Sequence, residues 1–159
     1  MAEIESLYLE RFADFVAVAA SIVGERESAR EAVQDAFASV VRSRRDFRRE
    51  APLEAWVWRA VINAARKKRL RSAREAEAHA TAAAATTNGT FPHREEGLEL
   101  ASLVALLPER QRLVLFLRHY ADLDYRRIAQ ILGVEIGTVS ASLHAAHKTL
   151  RQALSEVPE

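Results

Sequence analysis

Hydrophobic residues recur at spacings of three and four along most of the chain, and this pattern predicts α-helices. In the first half of the chain it predicts three of them. One runs from about Ser6 to Val23, a second is capped by Ser28, and a third begins at Pro52 and ends at about Ser72. The period-two alternation of a β-strand occurs nowhere, so the fold is predicted to be all-α.

Each of these helices has an apolar stripe, and the three stripes predict one shared core. The stripes of the first two helices consist of Tyr8, Phe12, Phe15, Ala19 and Ile22, and of Ala29, Val33, Ala36, Phe37 and Val40. The stripe of the third helix consists of Leu53, Trp56 or Val57, Ala60, Val61 and Ala64. Because Trp56 fits this third stripe, we interpret its ring as part of the core.

Four further helices are predicted in the second half, where they form a second small domain. The first covers about residues 98–106, and Pro108 lies in the first turn of the next. The buried face of that next helix consists of Leu113, Phe116 or Leu117, and Tyr120. Asp124 caps a short helix that ends before Gly133, and the last helix runs to about Leu154.

The last two helices have the residue pattern of a helix-turn-helix. Ala129 is small where two helices cross closely, and Gly133 can take the positive φ that a tight turn needs. The inward stripe of the last helix consists of Val139, Leu143, Ala146 and Leu150. Its outward side chains are Thr138, Ser140, Ala141, Ser142, His144, Ala145 and Lys148. Only Lys148 can make a bidentate guanine contact, so base reading is expected to be weak. An αα-hairpin that serves packing alone is the alternative.

The stretch between the two helical parts, residues 73–97, has almost no large apolar side chains. Alanines can prolong the third helix through its first half, but the sequence TTNGTFP breaks any helix. We therefore predict a three-helix domain over residues 1–72, a flexible linker over 73–97 and a four-helix domain over 98–159.

Positive charge is concentrated in the middle of the chain. The formal net charge of the whole chain is +1, yet residues 42–74 hold twelve basic and three acidic side chains. Cations near a helix C-terminus suit the helix dipole, but this number exceeds that need, so we predict a phosphate-binding surface. Phe47, in the charged loop, can stack an unpaired base, and Asn63 can hydrogen-bond a base edge.

Composition argues against several kinds of site. Without cysteine, the chain has no disulfide and no cysteine-rich zinc site. No apolar run approaches the roughly 20 residues of a membrane span, and a soluble cytoplasmic protein is expected. His144 and His147 lie three residues apart, but without a third ligand nearby we interpret them as two solvated histidines. The acids are scattered and no Gly-rich phosphate loop occurs, so neither an enzyme nor a cofactor-binding protein is predicted.

Two long stretches resemble conserved regions of the extracytoplasmic-function (ECF) sigma factors of the sigma-70 family. Residues 28–69, which begin SAREAVQDAF and end INAARKKR, resemble the second region of these proteins. Residues 103–154, which begin LVALLPERQR and end TLRQAL, resemble the fourth. The resemblance implies a sigma factor that gives core RNA polymerase its promoter specificity and helps to open the DNA.

The resemblance also implies roles for individual residues. The set that docks on the β′ clamp is Glu31, Val33, Gln34, Asp35 and Phe37. The set that recognises and unpairs the minus-ten element is Arg45, Phe47, Arg48, Arg49, Asn63, Arg66, Lys67, Lys68 and Arg69. The helix-turn-helix set is Tyr125, Thr138, Ser140, Ala141, Ser142, Ala145 and Lys148, and Leu107–Arg112 matches the segment near the β flap. The implied partners are core polymerase, promoter DNA and an anti-sigma protein, whose existence the sequence leaves open.

The recognition helix departs from the family pattern. The family often has lysine or arginine at the positions of Ser140, Ser142 and Ala145, and Glu135 replaces the usual serine or threonine cap. Two alternatives therefore stay open. One is a degenerate sigma-like module that binds polymerase without directing initiation, and the other is a stand-alone helix-turn-helix regulator that binds duplex DNA as a dimer.

Overall fold

The computed structural model describes residues 1–79 and 95–156, which form seven α-helices and one short 3₁₀ turn and contain no strand. The first half contains α1 (Ala2–Val23), α2 (Arg26–Arg42), the 3₁₀ turn (Arg44–Asp46) and α3 (Leu53–His79). The second half contains α4 (Glu95–Ala105), α5 (Glu109–His119), α6 (Tyr125–Leu132) and α7 (Ile136–Ser155). No single helix among these has the length and apolarity of a membrane span. The prediction of an all-α fold is confirmed.

Two compact units make up the chain, Met1–Thr90 and Phe91–Glu159, which we call unit 1 and unit 2. The predicted linker, residues 73–97, lies for the most part outside the described residues. Residues 73–79 continue α3 past about Ser72, which is the extension that the alanines were predicted to allow. The reason is local, because this segment is rich in alanine and glutamate, which favour helices.

The core of unit 1 is built around an aromatic cluster. Phe15 of α1 and Trp58 of α3 are both 0% exposed, and their ring centroids lie 4.3 Å apart. Phe37 of α2 packs edge-on against Phe15 with a centroid distance of 5.3 Å. Each fully buried apolar side chain of this size contributes about 1.5–3 kcal/mol of hydrophobic free energy. The three helices therefore meet at this cluster.

The buried face of α3 is rotated from the predicted one. Its buried residues are Ala55, Val57, Trp58, Val61, Ile62 and Ala65. Trp56 is half-exposed, so the interpretation of its ring as a core residue is wrong. Apolar residues occupy two neighbouring faces of α3, and helical periodicity alone allowed either tryptophan to point inward. Packing against Phe15 accounts for the choice of Trp58.

The start of α2 also differs from the prediction. Gly24 ends α1 with a φ of 82°, a conformation that favours glycine. Glu25 is then the N-cap of α2, and the Ser28 hydroxyl donates a hydrogen bond of 3.0 Å to its carboxylate. Ser28 lies inside the first turn, so the prediction that it caps the helix is wrong.

Unit 2 contains a helix-turn-helix formed by α6 and α7. Asp124 caps α6, since its Oδ1 accepts a hydrogen bond of 2.8 Å from the backbone N–H of Arg127. Gly133 ends α6 with a φ of 65°, and the two helices are bent by 103° at this turn, within the range of about 90–120° that is typical of the motif. The predicted inward stripe of α7 is confirmed, because its buried residues are Val139, Leu143, Ala146 and Leu150.

The buried face of α5 agrees with the prediction except at Val114, which was not predicted, and at Tyr120. Its buried residues are Leu113, Val114, Phe116 and Leu117. Tyr120 is 52% exposed, so the prediction that it is buried is wrong. It lies just past the end of α5, where its ring stacks on Phe116 with a centroid distance of 5.2 Å rather than pointing into the core.

Candidate nucleic-acid interface

A groove runs between α2 and α3 on the surface of unit 1. From α3, its lining takes side chains three or four residues apart, which share one face of the helix. These are Trp56, Arg59, Asn63, Lys67 and Arg71, with Ala60, Ala64 and Lys68 beside them. From α2 and its end, the lining takes Asp35, Ala36, Ala38, Ser39, Val40, Arg42 and Ser43. The groove thus joins the helix predicted to dock on polymerase to the helix predicted to bind DNA.

Most of the charge in this groove is positive. Among its described lining residues, Asp35 is the one acid, and the cations are Arg42, Arg59, Lys67, Lys68 and Arg71. Lys68 forms an ion pair with Glu31 of α2. A cleft lined by one sign of charge concentrates ligands of the other sign, and serine and asparagine side chains can bond phosphates or base edges. The groove therefore suits a polyanion that exposes hydrogen-bonding edges, such as a single DNA strand.

One residue of the groove lining, Trp56, belongs to an aromatic pair. Phe47 follows the 3₁₀ turn and stacks on Trp56, with ring centroids 5.0 Å apart and ring planes inclined by 28°. Both side chains are half-buried, so Phe47 is not the isolated ring that its charged loop suggested. A base can stack on the outer face of this pair, and Trp56 is the ring that also lines the groove.

Local hydrogen bonds fold the connection that carries Phe47. The Ser43 hydroxyl donates to the Ser39 carbonyl at 2.8 Å, and Arg44 Nη1 donates to the Val41 carbonyl at 2.7 Å, which satisfies carbonyls at the end of α2. Arg49 has a φ of 56°, in the left-handed region that costs a non-glycine residue about 1–2 kcal/mol. The predicted minus-ten residues Arg45, Arg48 and Arg49 are exposed along this connection.

The residues predicted to dock on polymerase divide into two groups. Glu31, Gln34 and Asp35 are exposed and share one face of α2. Val33 is 0% exposed and Phe37 is 6% exposed, so the prediction of a direct contact is corrected for these two. They belong to the core because the same helix must bury its opposite face, and they hold the exposed three in place.

The predicted DNA-binding residues of α3 do not all face the same way. Asn63, Lys67 and Lys68 line the groove, whereas Arg66 and Arg69 are exposed outside its lining. The predicted minus-ten set left out five hydroxyl-bearing or basic residues of the groove, Ser39, Arg42, Ser43, Arg59 and Arg71. The spacing of three and four that links Trp56, Arg59, Asn63, Lys67 and Arg71 was a signal that could have found two of them.

In unit 2, the outward face of α7 has little charge. Ser140, Ala141 and Lys148 are exposed, Thr138, Ser142 and Ala145 are half-exposed, and Tyr125 at the start of α6 is 36% exposed. Glu135 is the N-cap residue of α7, but its side chain makes no cap hydrogen bond. The first two turns of α7 therefore present hydroxyl and methyl groups, which can bond phosphates or base edges and touch thymine methyls.

The segment matched to the β flap contact, Leu107–Arg112, joins α4 to α5. Leu107 is buried, and the preceding Leu106 is 82% exposed. Arg112 Nη1 donates to the carbonyls of Leu107 at 2.9 Å and Ala105 at 3.2 Å. These bonds satisfy carbonyls at the end of α4 and fix the turn that leaves Leu106 at the surface.

Of the two histidines that were predicted to be solvated, His144 is exposed and His147 is half-buried. His147 contacts His119 of α5, with Nε2 atoms 3.0 Å apart, rather than His144. Burial, then the neighbouring His147 and Arg118, lower the pKa of His119 below its ordinary value. Within the described ranges, no three histidine, cysteine or acidic side chains come together in a way that could hold a metal ion.

Comparison with known proteins gives matches in both units. The model of sigma-70 region 2 matches residues 7–75, and that of sigma-70 region 4 matches residues 97–158. The RNA polymerase sigma-H factor of Pseudomonas aeruginosa is 27% identical over 146 residues, which cover 83% of this chain and 76% of that protein. The ECF RNA polymerase sigma factor SigM of Mycobacterium tuberculosis is 29% identical over 134 residues, which cover 80% of this chain and 65% of that protein.

The fold also matches a solved structure. The sigma factor RpoE of Bartonella quintana, solved in complex with the anti-sigma factor NepR, superposes with a TM-score of 0.80 and 19% identity. The superposition covers 99% of this chain and all of that one, so the two share a fold. Region 2 lies in unit 1 and region 4 in unit 2. The chain belongs to the sigma-70 family, as a sigma factor of the extracytoplasmic-function type that serves transcription initiation.

Proposed function

We propose that the chain docks on core RNA polymerase through the exposed face of α2, receives the minus-ten element in the α2–α3 groove and helps to open the promoter there. The observation that carries this proposal is the shared lining of the groove. Trp56, Asn63 and Lys67 of α3 lie in one lining with Asp35 and Arg42 of α2. The α2–α3 pair then contacts polymerase through the exposed face of α2 and DNA through the groove.

The polymerase contact rests on three exposed side chains of α2. Glu31, Gln34 and Asp35 recur at helical spacing, and the buried Val33 and Phe37 anchor the helix behind them. Glu31 is already engaged by Lys68, so this ion pair ties α2 to α3. Gln34 and Asp35 are therefore the contacts that we expect to matter most for the β′ clamp.

Promoter opening requires that unpaired bases be trapped. Unstacking a base costs a few kcal/mol, and stacking it on an aromatic side chain returns about 1–3 kcal/mol. The Phe47–Trp56 pair offers such a surface, and the groove cations attract the displaced strand. Binding of the unpaired strand thus supplies the free energy of opening, and the chain itself needs no catalytic group.

Recognition of the minus-thirty-five element is assigned to α7. Its outward face has few groups that read guanine, so its own affinity for DNA is expected to be weak. A polymerase that holds both units makes the second contact intramolecular, which raises its effective concentration. Weak contacts at two promoter elements then add up to specific binding.

Control by an anti-sigma protein is part of the proposal. RpoE of Bartonella quintana is held by such a protein in its solved structure. For this chain, we propose that the partner blocks the exposed face of α2 around Gln34 and Asp35, because covering that face prevents docking on polymerase. Competition between the partner and core polymerase for the purified chain is the expected behaviour.

Transcription with purified core polymerase on a genomic library tests the proposal. We expect discrete run-off transcripts, with permanganate-reactive thymines in the minus-ten region of the promoters found. Asp35→Arg should abolish them, whereas Glu27→Arg, an equal charge change at another exposed residue of α2, should preserve them. Binding to core without any transcript would instead support the degenerate interaction module, and specific duplex binding without core would support the stand-alone regulator.

A further inference from the structure

Two histidines of unit 2 touch across a helix–helix interface. His119 ends α5 and His147 lies in the middle of α7, and their Nε2 atoms are 3.0 Å apart. The ring centroids are 5.2 Å apart, and the ring planes are inclined by 41°. Because α5 and α7 pack against each other, this contact bridges the recognition helix and its neighbour at the edge of the core.

The protonation state decides whether this contact attracts or repels. Two ring nitrogens at this distance form a hydrogen bond only when one carries a proton and the other has a free lone pair. Two neutral rings, or one neutral and one protonated ring, can meet that condition. Two protonated rings cannot, because both nitrogens then present an N–H and two positive charges lie side by side.

The charged groups around the pair make a second proton still less favourable. On α5, Arg118 precedes His119 and donates to Asp122 at 3.4 Å. On α7, His144 and Arg151 lie one turn before and one turn after His147. The packed helix α6 carries Tyr125, Arg126 and Arg127, and the segment 100–105 of α4 has no titratable side chain. Arg118 is the cation that, with His147, lowers the pKa of His119, and Asp122, the acid beside it, is already engaged by Arg118.

We infer that His119 and His147 form an acid-sensitive latch between α5 and the recognition helix α7. At neutral pH, the hydrogen bond between their rings stabilises unit 2. In mild acid, when both rings take up protons, the latch opens and weakens the packing that presents α7. The inference concerns the stability of unit 2, so it stands independently of the proposed function.

The direction of the pH effect follows from linkage. Burial, His147 and Arg118 lower the pKa of His119 in the folded chain, so the unfolded chain binds protons more readily. The stabilisation is fully present above the ordinary histidine pKa of about 6.5 and is lost as the pH falls through the lower value of the folded state. Unit 1 has no such pair among its described residues and serves as an internal reference.

Histidine titration by NMR on the full chain, with EDTA present, tests the coupling directly. In the wild type, the Cε1–H signal of His119 should titrate below the ordinary histidine pKa of about 6.5. His147→Gln should raise the pKa of His119, because it removes the neighbouring imidazolium, whereas His144→Gln should leave it unchanged. If His147→Gln does not move the titration of His119, or if His144→Gln moves it equally, the latch is refuted.

Urea unfolding followed residue by residue tests the consequence for stability. From about pH 7.5 to about pH 5.5, the unfolding midpoint read from Leu143 of unit 2 should fall further than that read from Val61 of unit 1. In both His147→Gln and His119→Gln, the difference between the two units in this fall of the midpoint should be less than about half of its wild-type value. Either change removes the pair of charges. An excess that persists in both variants, or that is absent from the wild type, overturns the inference.

Discussion

Phe47 lies against Trp56 with ring centroids 5.0 Å apart and ring planes inclined by 28°. The contact connects the basic loop after α2 to the first turn of α3, nine residues further along the chain. Trp58, two residues later, points the opposite way and is fully buried against Phe15. Two tryptophans with one residue between them therefore have different tasks, one at the surface of the groove and the other in the core.

Replacing each tryptophan with alanine should separate these tasks. Trp58→Ala should lower the free energy of unfolding of unit 1 by about 3–5 kcal/mol, because it empties the centre of the core. Trp56→Ala should cost much less stability but should reduce open-complex formation on a duplex promoter. Its transcription from a template with a premelted minus-ten region should be nearly normal. Equal defects on both templates would contradict a role in opening.

The groove cations should carry part of the salt dependence of DNA binding. Lys67→Gln with Arg71→Gln should reduce the slope of log K against log salt concentration by about 0.9 for each duplex phosphate that is no longer neutralised. The matched control is Arg26→Gln with Arg110→Gln, which lowers the net charge equally at exposed positions outside the groove. Fluorescence anisotropy at several salt concentrations measures both slopes, and a slope that changes equally in the two variants would count against the groove.

Changes on the exposed face of α2 should weaken polymerase binding without unfolding the chain. Gln34→Ala with Asp35→Arg should leave the circular dichroism of the chain intact, since both side chains are exposed. Binding to a β′ clamp fragment should weaken, because the double change removes a hydrogen-bonding amide and reverses an acidic charge. Normal affinity of this double variant in calorimetry would exclude this face as the docking surface.

On α7, the side on which an arginine is placed should decide its effect. Ser140→Arg and Ala141→Arg add charge to exposed positions, so duplex binding should tighten with little regard to sequence. Val139→Arg puts a charge at a position that is 0% exposed and should unfold unit 2. Circular dichroism and anisotropy on the full chain report both effects. Unfolding by Ser140→Arg together with tolerance of Val139→Arg would mean that α7 is rotated from the described orientation.

The two helix starts in unit 2 should respond in opposite ways. Asp124 caps α6 with its side chain, so Asp124→Ala should cost about 1 kcal/mol of the free energy of unfolding. Glu135 makes no such bond at the start of α7, and Glu135→Ser should stabilise the helix by satisfying an N–H that lacks a side-chain partner. Thermal unfolding of both variants checks this contrast, and a destabilised Glu135→Ser would show that the glutamate acts in another way.

Where one residue type dictates the backbone, the sequence was a sufficient guide. Gly133 at the turn, Asp124 at the cap and the Val139–Leu150 stripe of α7 were all predictable, because each depends on local stereochemistry or on a single periodic face. The buried face of α3 was not predictable, because alanines on neighbouring faces make its helical periodicity fit either face. Only the packing of Phe15 against Trp58 resolves it.

The sequence predicted the type of surface, but it predicted only some of the residues that form it. The basic block pointed to a phosphate-binding surface, and the structure brings Asn63, Lys67 and Lys68 into one groove. It also adds Ser39 from α2, which lies outside the basic block and which no pattern along α3 could supply, because the pairing of helices is a tertiary property. The contact between His119 and His147 joins residues 28 positions apart, and it could not be read from spacing for the same reason.

The length of α3 has a consequence for the path of the chain out of unit 1. Its 27 residues bury nothing beyond Ala65, and every side chain from Arg69 to His79 is exposed. The last three turns therefore bury no side chain against another helix among the described residues, and their backbone hydrogen bonds and helix-favouring residues contribute much of their stability. Each residue wound onto or off this end moves the exit of the chain by about 1.5 Å and turns it by about 100°. A residue added to or lost from the end of α3 would therefore change both the position and the direction in which the chain continues.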